Sequence, residues 1–194
     1  MSALAAGFVD APHDAQRAFR RVLDAFAHPG RIVSIPTTLE APPVFSLAAA
    51  AFLLTFVDRD TPLWLAPELC TDDAIRYVRF HTGAPIVEHA AGAQFAVVRA
   101  ERDPMFDGFN VGTDAYPDRS ATLVIEAASL RSGPCMPLRG PGIETSAVAT
   151  VAGLPDSFWR DWTANRALFP CGVDVVFAAG SELLALPRGI AVEA

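Results

Sequence analysis

Lysine is missing altogether: the 15 basic residues of this 194-residue chain are all arginine. GC-rich codon usage accounts for such a bias, but its chemical consequence holds whatever the cause. Without a side-chain amine there is no Schiff base to a carbonyl or to pyridoxal phosphate, and no P-loop lysine for nucleotide phosphates. Any anion site must be built from arginine forks, backbone N–H groups and helix N-termini. Cysteine is scarce too: Cys70, Cys135 and Cys171 form no CxxC pair and read as reduced, buried thiols. His13, His28, His81 and His89 show no HExxH or comparable spacing, so no metal site is expected. There is no GxSxG, and no spacing implies a Ser–His or Cys–His pair.

Long apolar runs are also lacking. The longest, VFSLAAAAFLLTFV (44–57), falls short of the roughly 20 residues that a membrane crossing needs. It contains Ser46 and Thr55 and ends in an acidic DRD, which fits a buried helix better. The opening MSALAAGFVDAPHDAQ has no basic stretch before its small residues, so no signal peptide and a cytoplasmic location are expected. A net charge of −7 argues against sequence-independent binding to nucleic acid.

What is present suits one sizeable core: 52% of residues are hydrophobic and 19% charged, so one domain spanning 1–194, with its core over about 10–190, is expected. Asp14 is a candidate cap for a helix through AQRAFRRVLDAFA, with Phe19, Val22, Leu23 and Phe26 as its apolar face. HPG (28–30) stops it, and RIVSIP then reads as a short strand. DRDTP turns into the strand LWLA (63–66), and Thr71 opens a helix TDDAIRYVRFHT halted by Gly83 and Pro85. QFAVVRA (94–100) and ATLVIEAAS (121–129) read as buried strands, and residues 101–120 as a loop with one helical turn. Another strand is expected around AVATV, and a helix over PDSFWRDWTANRALF. Gly180-Ser181 then joins two β-like runs as a hairpin. The fold class that follows is α/β, a single domain with a mixed sheet flanked by helices.

Three arginine-bearing stretches are candidates for ligand chemistry. In RYVRFHT, Arg76 and Arg79 share a helix face and His81 adds a donor near neutral pH; the plainer account pairs both arginines with Asp72, Asp73 or solvent. In LRGPGIET (138–145), Arg139 and two glycines let backbone N–H groups approach a ligand, although a tight turn between strands explains the stretch as well. In LPRG (186–189), Arg188 follows a strand, where a surface salt bridge is the simpler account. Asp58 and Asp60 read as a solvated turn with an Asx cap, and Trp159 with Trp162 as a packing or interface stripe.

Taken in order, DAQRAFRRVLDAFAHPG, LLTFVDRDTPLWL, RFHTGAP, QFAVV, ATLVIEAASL, LRGPGI, FPCGVDVVF and LLALPR resemble the PhnH family, from about Asp14 to Arg188. That family is the H subunit of the bacterial carbon–phosphorus lyase core complex. The resemblance implies a fold like that of pyridoxal-phosphate-dependent transferases without the cofactor site, in agreement with the missing lysine. It implies a homodimer that assembles with the G, I and J subunits. It implies a part in forming α-D-ribose 1-methylphosphonate 5-triphosphate from a nucleoside triphosphate and an alkylphosphonate, as an assembly or ligand-binding subunit that is not catalytic alone. Arg79, His81, Thr82, Arg139 and Gly142, then Arg20 and Arg188, are the candidates for a phosphonate or nucleoside triphosphate ligand. The rival expectation is a stand-alone small-molecule enzyme or anion-binding protein using an Arg/His pocket around Arg79 and His81.

Overall fold

A computed structural model describes residues 4–36, 38–103 and 105–193; Met1 to Ala3, Thr37, Pro104 and Ala194, which the sequence reading included, lie outside the described residues. In chain order the first elements are α1 (Ala11–Ala27), β1 (Val33–Ser34), α2 (Leu47–Phe56), β2 (Leu63–Leu65), α3 (Asp72–Thr82) and β3 (Phe95–Arg99). β4 (Thr122–Glu126), β5 (Cys135–Arg139), β6 (Ala147–Thr150), α4 (Phe158–Ala167), β7 (Asp174–Ala179), β8 (Glu182–Leu186) and β9 (Ala191–Val192) follow.

Apolar strands buried on both faces make the centre. β2, β3, β4 and β7 are parallel, with Leu65 beside Val97, Val97 beside Val124 and Val124 beside Val176. β8 pairs antiparallel with β7 through the Gly180 turn, and β1 closes that edge, giving the order β1-β8-β7-β4-β3-β2. The sheet is therefore mixed, as the β-rich C-terminal third implied. β5 pairs antiparallel with both β6 and β9 in a separate three-stranded sheet. LRGPGIET is thus a strand end and the turn that follows it, and β9 is a strand that the sequence reading did not anticipate.

Strand alternation sorts the helices. Phe95 meets Phe52 of α2 edge-on, so Phe95 and its register partner Thr122 face the α1–α2 layer. Phe177 meets Phe158 of α4, so Phe177 and its partner Ile125 face the other way. On that second face the 101–120 segment does the work of a crossover helix. Met105 and Phe109 are buried, Phe106 packs on Phe158 and Trp162, and Arg102 lies over the rings of Trp64 and Phe109 at 5.2 and 5.5 Å. Phe106 and Phe109 are packing residues, each large enough to help seal a sheet face, whereas Tyr116 is 52% exposed under Arg119. Trp162 is wholly buried and donates its indole N–H to the Ile190 carbonyl at 2.9 Å, which ties α4 to the last strand.

Two expectations need correction. α1 starts at Ala11 with Pro12 in its first turn, so Asp14 is not its cap; the Asp14 carboxylate instead reaches back to the Asp10 N–H at 3.0 Å. Of the three thiols only Cys171 is buried, whereas Cys70 and Cys135 are exposed. Cys70 falls just before the Thr71 cap of α3, and Cys135 opens a strand of the small sheet, most of whose side chains are solvated. Neither position offers the thiol a core to enter. None of the described helices is long and apolar enough to cross a membrane.

Candidate functional site

The sequence candidates fall into separate places. Arg79, His81 and Thr82 form the last turn of α3, which Thr71 caps at one end and Gly83 terminates at the other in a left-handed conformation, φ 72°. Arg79 is exposed and has no partner among the described residues. Arg76, one turn earlier, pairs with Asp73, as the plainer reading of that face had it. His81 is turned toward the chain's own N-terminal segment, with Nε2 3.0 Å from the Ala5 carbonyl oxygen. Thr82 donates to the Val78 carbonyl at 2.8 Å and accepts the Ala84 N–H at 3.1 Å, satisfying groups that a helix end leaves open. Burial pushes the phenol of the neighbouring Tyr77 far above its usual range.

Arg139 and Gly142 lie at the end of β5 and in its turn. Arg139 pairs with Glu193 at the surface. Gly142 has φ 83°, and a Cβ there would collide with the Ala27 carbonyl at the end of α1. It therefore serves as a close-approach glycine, and it lines a polar cleft with His28, Arg31 and Thr145. That cleft faces the C-terminal, electronegative end of α1, where a phosphate gains nothing from the helix. Arg188 is mostly buried: its backbone and side chain both donate to Asp174, and Nη1 donates to the Pro117 carbonyl at 2.8 Å. Among the described residues, no hydrogen bond or ion pair joins these candidates to the α3 group. Arg20, on α1, is exposed.

Two features were not singled out from the sequence. The first is an apolar groove of about 210 Å³ between α1, α2 and the N-terminal ends of β3 and β4. Phe52, Phe56 and Phe95 form its floor, and Phe19, Leu23 and Phe26 its wall. Phe19 is 46% exposed and Leu23 56% exposed, although periodicity assigned both to the core face. The core actually takes Ala18, Val22 and Ala25, so the apolar stripe of α1 is wider than folding requires. The second is Glu126, a buried carboxyl at the C-terminal end of β4 that accepts the Ser46 N–H at 2.7 Å. Burial pushes it up to about 7, against opposing contributions from the Ser46 hydrogen bonds and the positive charge of Arg99, its register partner. A buried charge at a strand end, with an arginine on the next strand, was the available sequence signal.

Fold and surface together define an α/β protein with an apolar, aromatic-lined groove open at its surface. The chain belongs to the PhnH family: the family model described as "Bacterial phosphonate metabolism protein (PhnH)" matches residues 6–193. It is 42% identical over 187 residues to the alpha-D-ribose 1-methylphosphonate 5-triphosphate synthase subunit PhnH of Rhizobium meliloti (strain 1021), covering 96% of this chain and 94% of that protein. It is 29% identical over 180 residues to the putative C-P lyase subunit protein HtxG of Stutzerimonas stutzeri, covering 89% of this chain and 83% of that one.

Proposed function

We propose that this chain is a subunit of a carbon–phosphorus lyase system in phosphonate metabolism, acting by assembly rather than by chemistry of its own. Family membership and the names of both relatives support a subunit role. The observation that carries the assembly reading is the groove at Phe19, Leu23 and Phe56, where large apolar side chains stay in water in the isolated chain. Such a surface costs free energy unless a partner covers it.

In finer detail, the proposed partners are a second copy of this chain and the G, I and J subunits, in the cytoplasm. The assembly would support synthesis of ribose 1-methylphosphonate 5-triphosphate, a group transfer, with exposed Arg79 and Arg139 available to a phosphonate or nucleoside triphosphate. The proposed fold relationship is to pyridoxal-phosphate-dependent transferases, without an aldimine, since the chain has no lysine. His81 is already committed to the Ala5 carbonyl, so no observation favours the stand-alone enzyme.

Co-expression with tagged G, I and J subunits tests the proposal. Wild type and Arg79→Ala are expected to co-purify in fixed stoichiometry. Leu23→Glu is expected to melt like wild type and to be lost from the assembly. Turnover of phosphonate by the isolated chain, or full incorporation of Leu23→Glu, would overturn it.

A further inference from the structure

Residues 4–10 form an irregular strap that touches the last turn of α3 and the segment around Glu40. Among the described residues, three polar contacts hold it. His81 lies 3.0 Å from the Ala5 carbonyl oxygen through Nε2; a carbonyl only accepts, so the proton is on Nε2. Glu40 donates its N–H to the Ala6 carbonyl at 2.9 Å, and Ala6 donates its own to the Glu40 carboxylate at 3.4 Å. Gly7 sits flat against the imidazole, where a Cβ would fall 2.8 Å from Nδ1 and Cε1.

The latch is framed by aromatic rings. The His81 ring lies 4.6 Å from the buried Tyr77 ring and 4.9 Å from that of exposed Phe80, centroid to centroid. The strap is not comparably anchored. Leu4 and Val9 are exposed, and although Gly7 is buried, Ala5 and Phe8 reach the core only as partly buried side chains packed against its edge. Beneath it lies a cleft of about 520 Å³, walled on one side by Leu4 and Ala5 and on the other by Leu39, Leu47 and the Asp73–Arg76 pair. A segment held by a few hydrogen bonds, each of small net worth, opens far more readily than the sheet behind it.

We propose that the N-terminal strap is a movable wall latched by His81, and that its release opens the cleft over Leu39 and Arg76. His81 is then a positioning residue for the strap. The inference is independent of the assembly reading, because the strap and the groove at Phe19 share no residue.

Amide hydrogen exchange on the full chain tests it, since the Glu40 N–H is protected only while the strap is closed. In wild type that amide is expected to exchange roughly a hundredfold faster than the amides of β4. His81→Ala is expected to speed it by roughly tenfold more while leaving β4 unchanged. Gly7→Ala, which displaces the strap from the other side of the latch, should do the same. In a Cys70→Ser/Cys135→Ser background, Leu39→Cys should react with a thiol reagent faster once His81→Ala is added. A Glu40 amide as slow as β4 in wild type would overturn the proposal. So would no change in either variant, or a rise shared equally by β4, which would mark the contact as ordinary packing.

Discussion

Glu126 and Ser46 lie 80 residues apart, yet the carboxylate at the end of the central strand β4 accepts the backbone N–H at the start of α2, 2.7 Å away. A helix start gains from a negative charge, but this carboxyl is buried, and burial is the larger effect: it raises the group from 4.5 to about 7. A carboxyl raised in the folded state binds its proton more tightly there than in the unfolded chain. Its contribution to stability is complete below about pH 4.5, declines as the pH rises, and is gone above about 7. Glu126→Gln keeps an acceptor for Ser46 and removes the titration. Relative to that variant, wild type should lose roughly 3 kcal/mol between pH 4.5 and 8. Urea midpoints of both proteins at the two pH values check this, and parallel pH dependence would refute it.

Asp174 and Arg188 secure the N-terminal end of β7 to the segment after β8, with their side chains only 18% and 16% exposed. Removing one partner leaves the other charge buried and also frees the Pro117 carbonyl. Arg188→Ala is expected to cost about 3 kcal/mol in chemical denaturation. Arg139→Ala, whose pair with Glu193 is at the surface, should stay within about 1 kcal/mol. Equal losses would mean that burial is not what separates the two arginines.

Gly142→Ala combines a left-handed backbone with a collision at the Ala27 carbonyl. A loss of about 2 kcal/mol or more is expected, seen as a lower melting temperature. Loss of activity in this variant would then report on folding before it reported on any ligand. An unshifted melting curve would show that the turn after β5 gives way easily.

Tyr77 carries a buried hydroxyl with no hydrogen-bond partner among the described residues. Tyr77→Phe deletes that group and keeps the ring that packs, tilted, against His81. The variant should be more stable than wild type by about 1 kcal/mol, because an unsatisfied buried donor costs more than it returns. A destabilised Tyr77→Phe would show that the hydroxyl is satisfied in solution.

Local chemistry explains what could be read without the structure. Thr71, Gly83 and the Gly180 turn mark their element ends because capping and left-handed backbone are decided within a few residues. The runs LWL, FAVVR and TLVIE announce strands buried on both faces, and the order of motifs identifies the family. The Asp58 side chain accepts the Asp60 N–H at 2.9 Å, as its turn sequence implied.

Contacts between distant segments escaped that reading. The 3.6-residue period of α1 shows that Phe19, Val22, Leu23 and Phe26 share a face, but not how far α2 covers it. Coverage depends on how two helices seat on one sheet, and here it leaves Phe19 and Leu23 in solvent. For the same reason the sequence could propose His81 and Arg188 as ligand groups but could not know what they touch. The sequence determined the four helices and the central strands, the chain's family and the exclusion of a lysine aldimine, but not β9. Tertiary structure alone decided that His81 meets Ala5, that Arg188 meets Asp174 and that Glu126 meets Ser46, because each pair becomes neighbours only when the chain closes over its core.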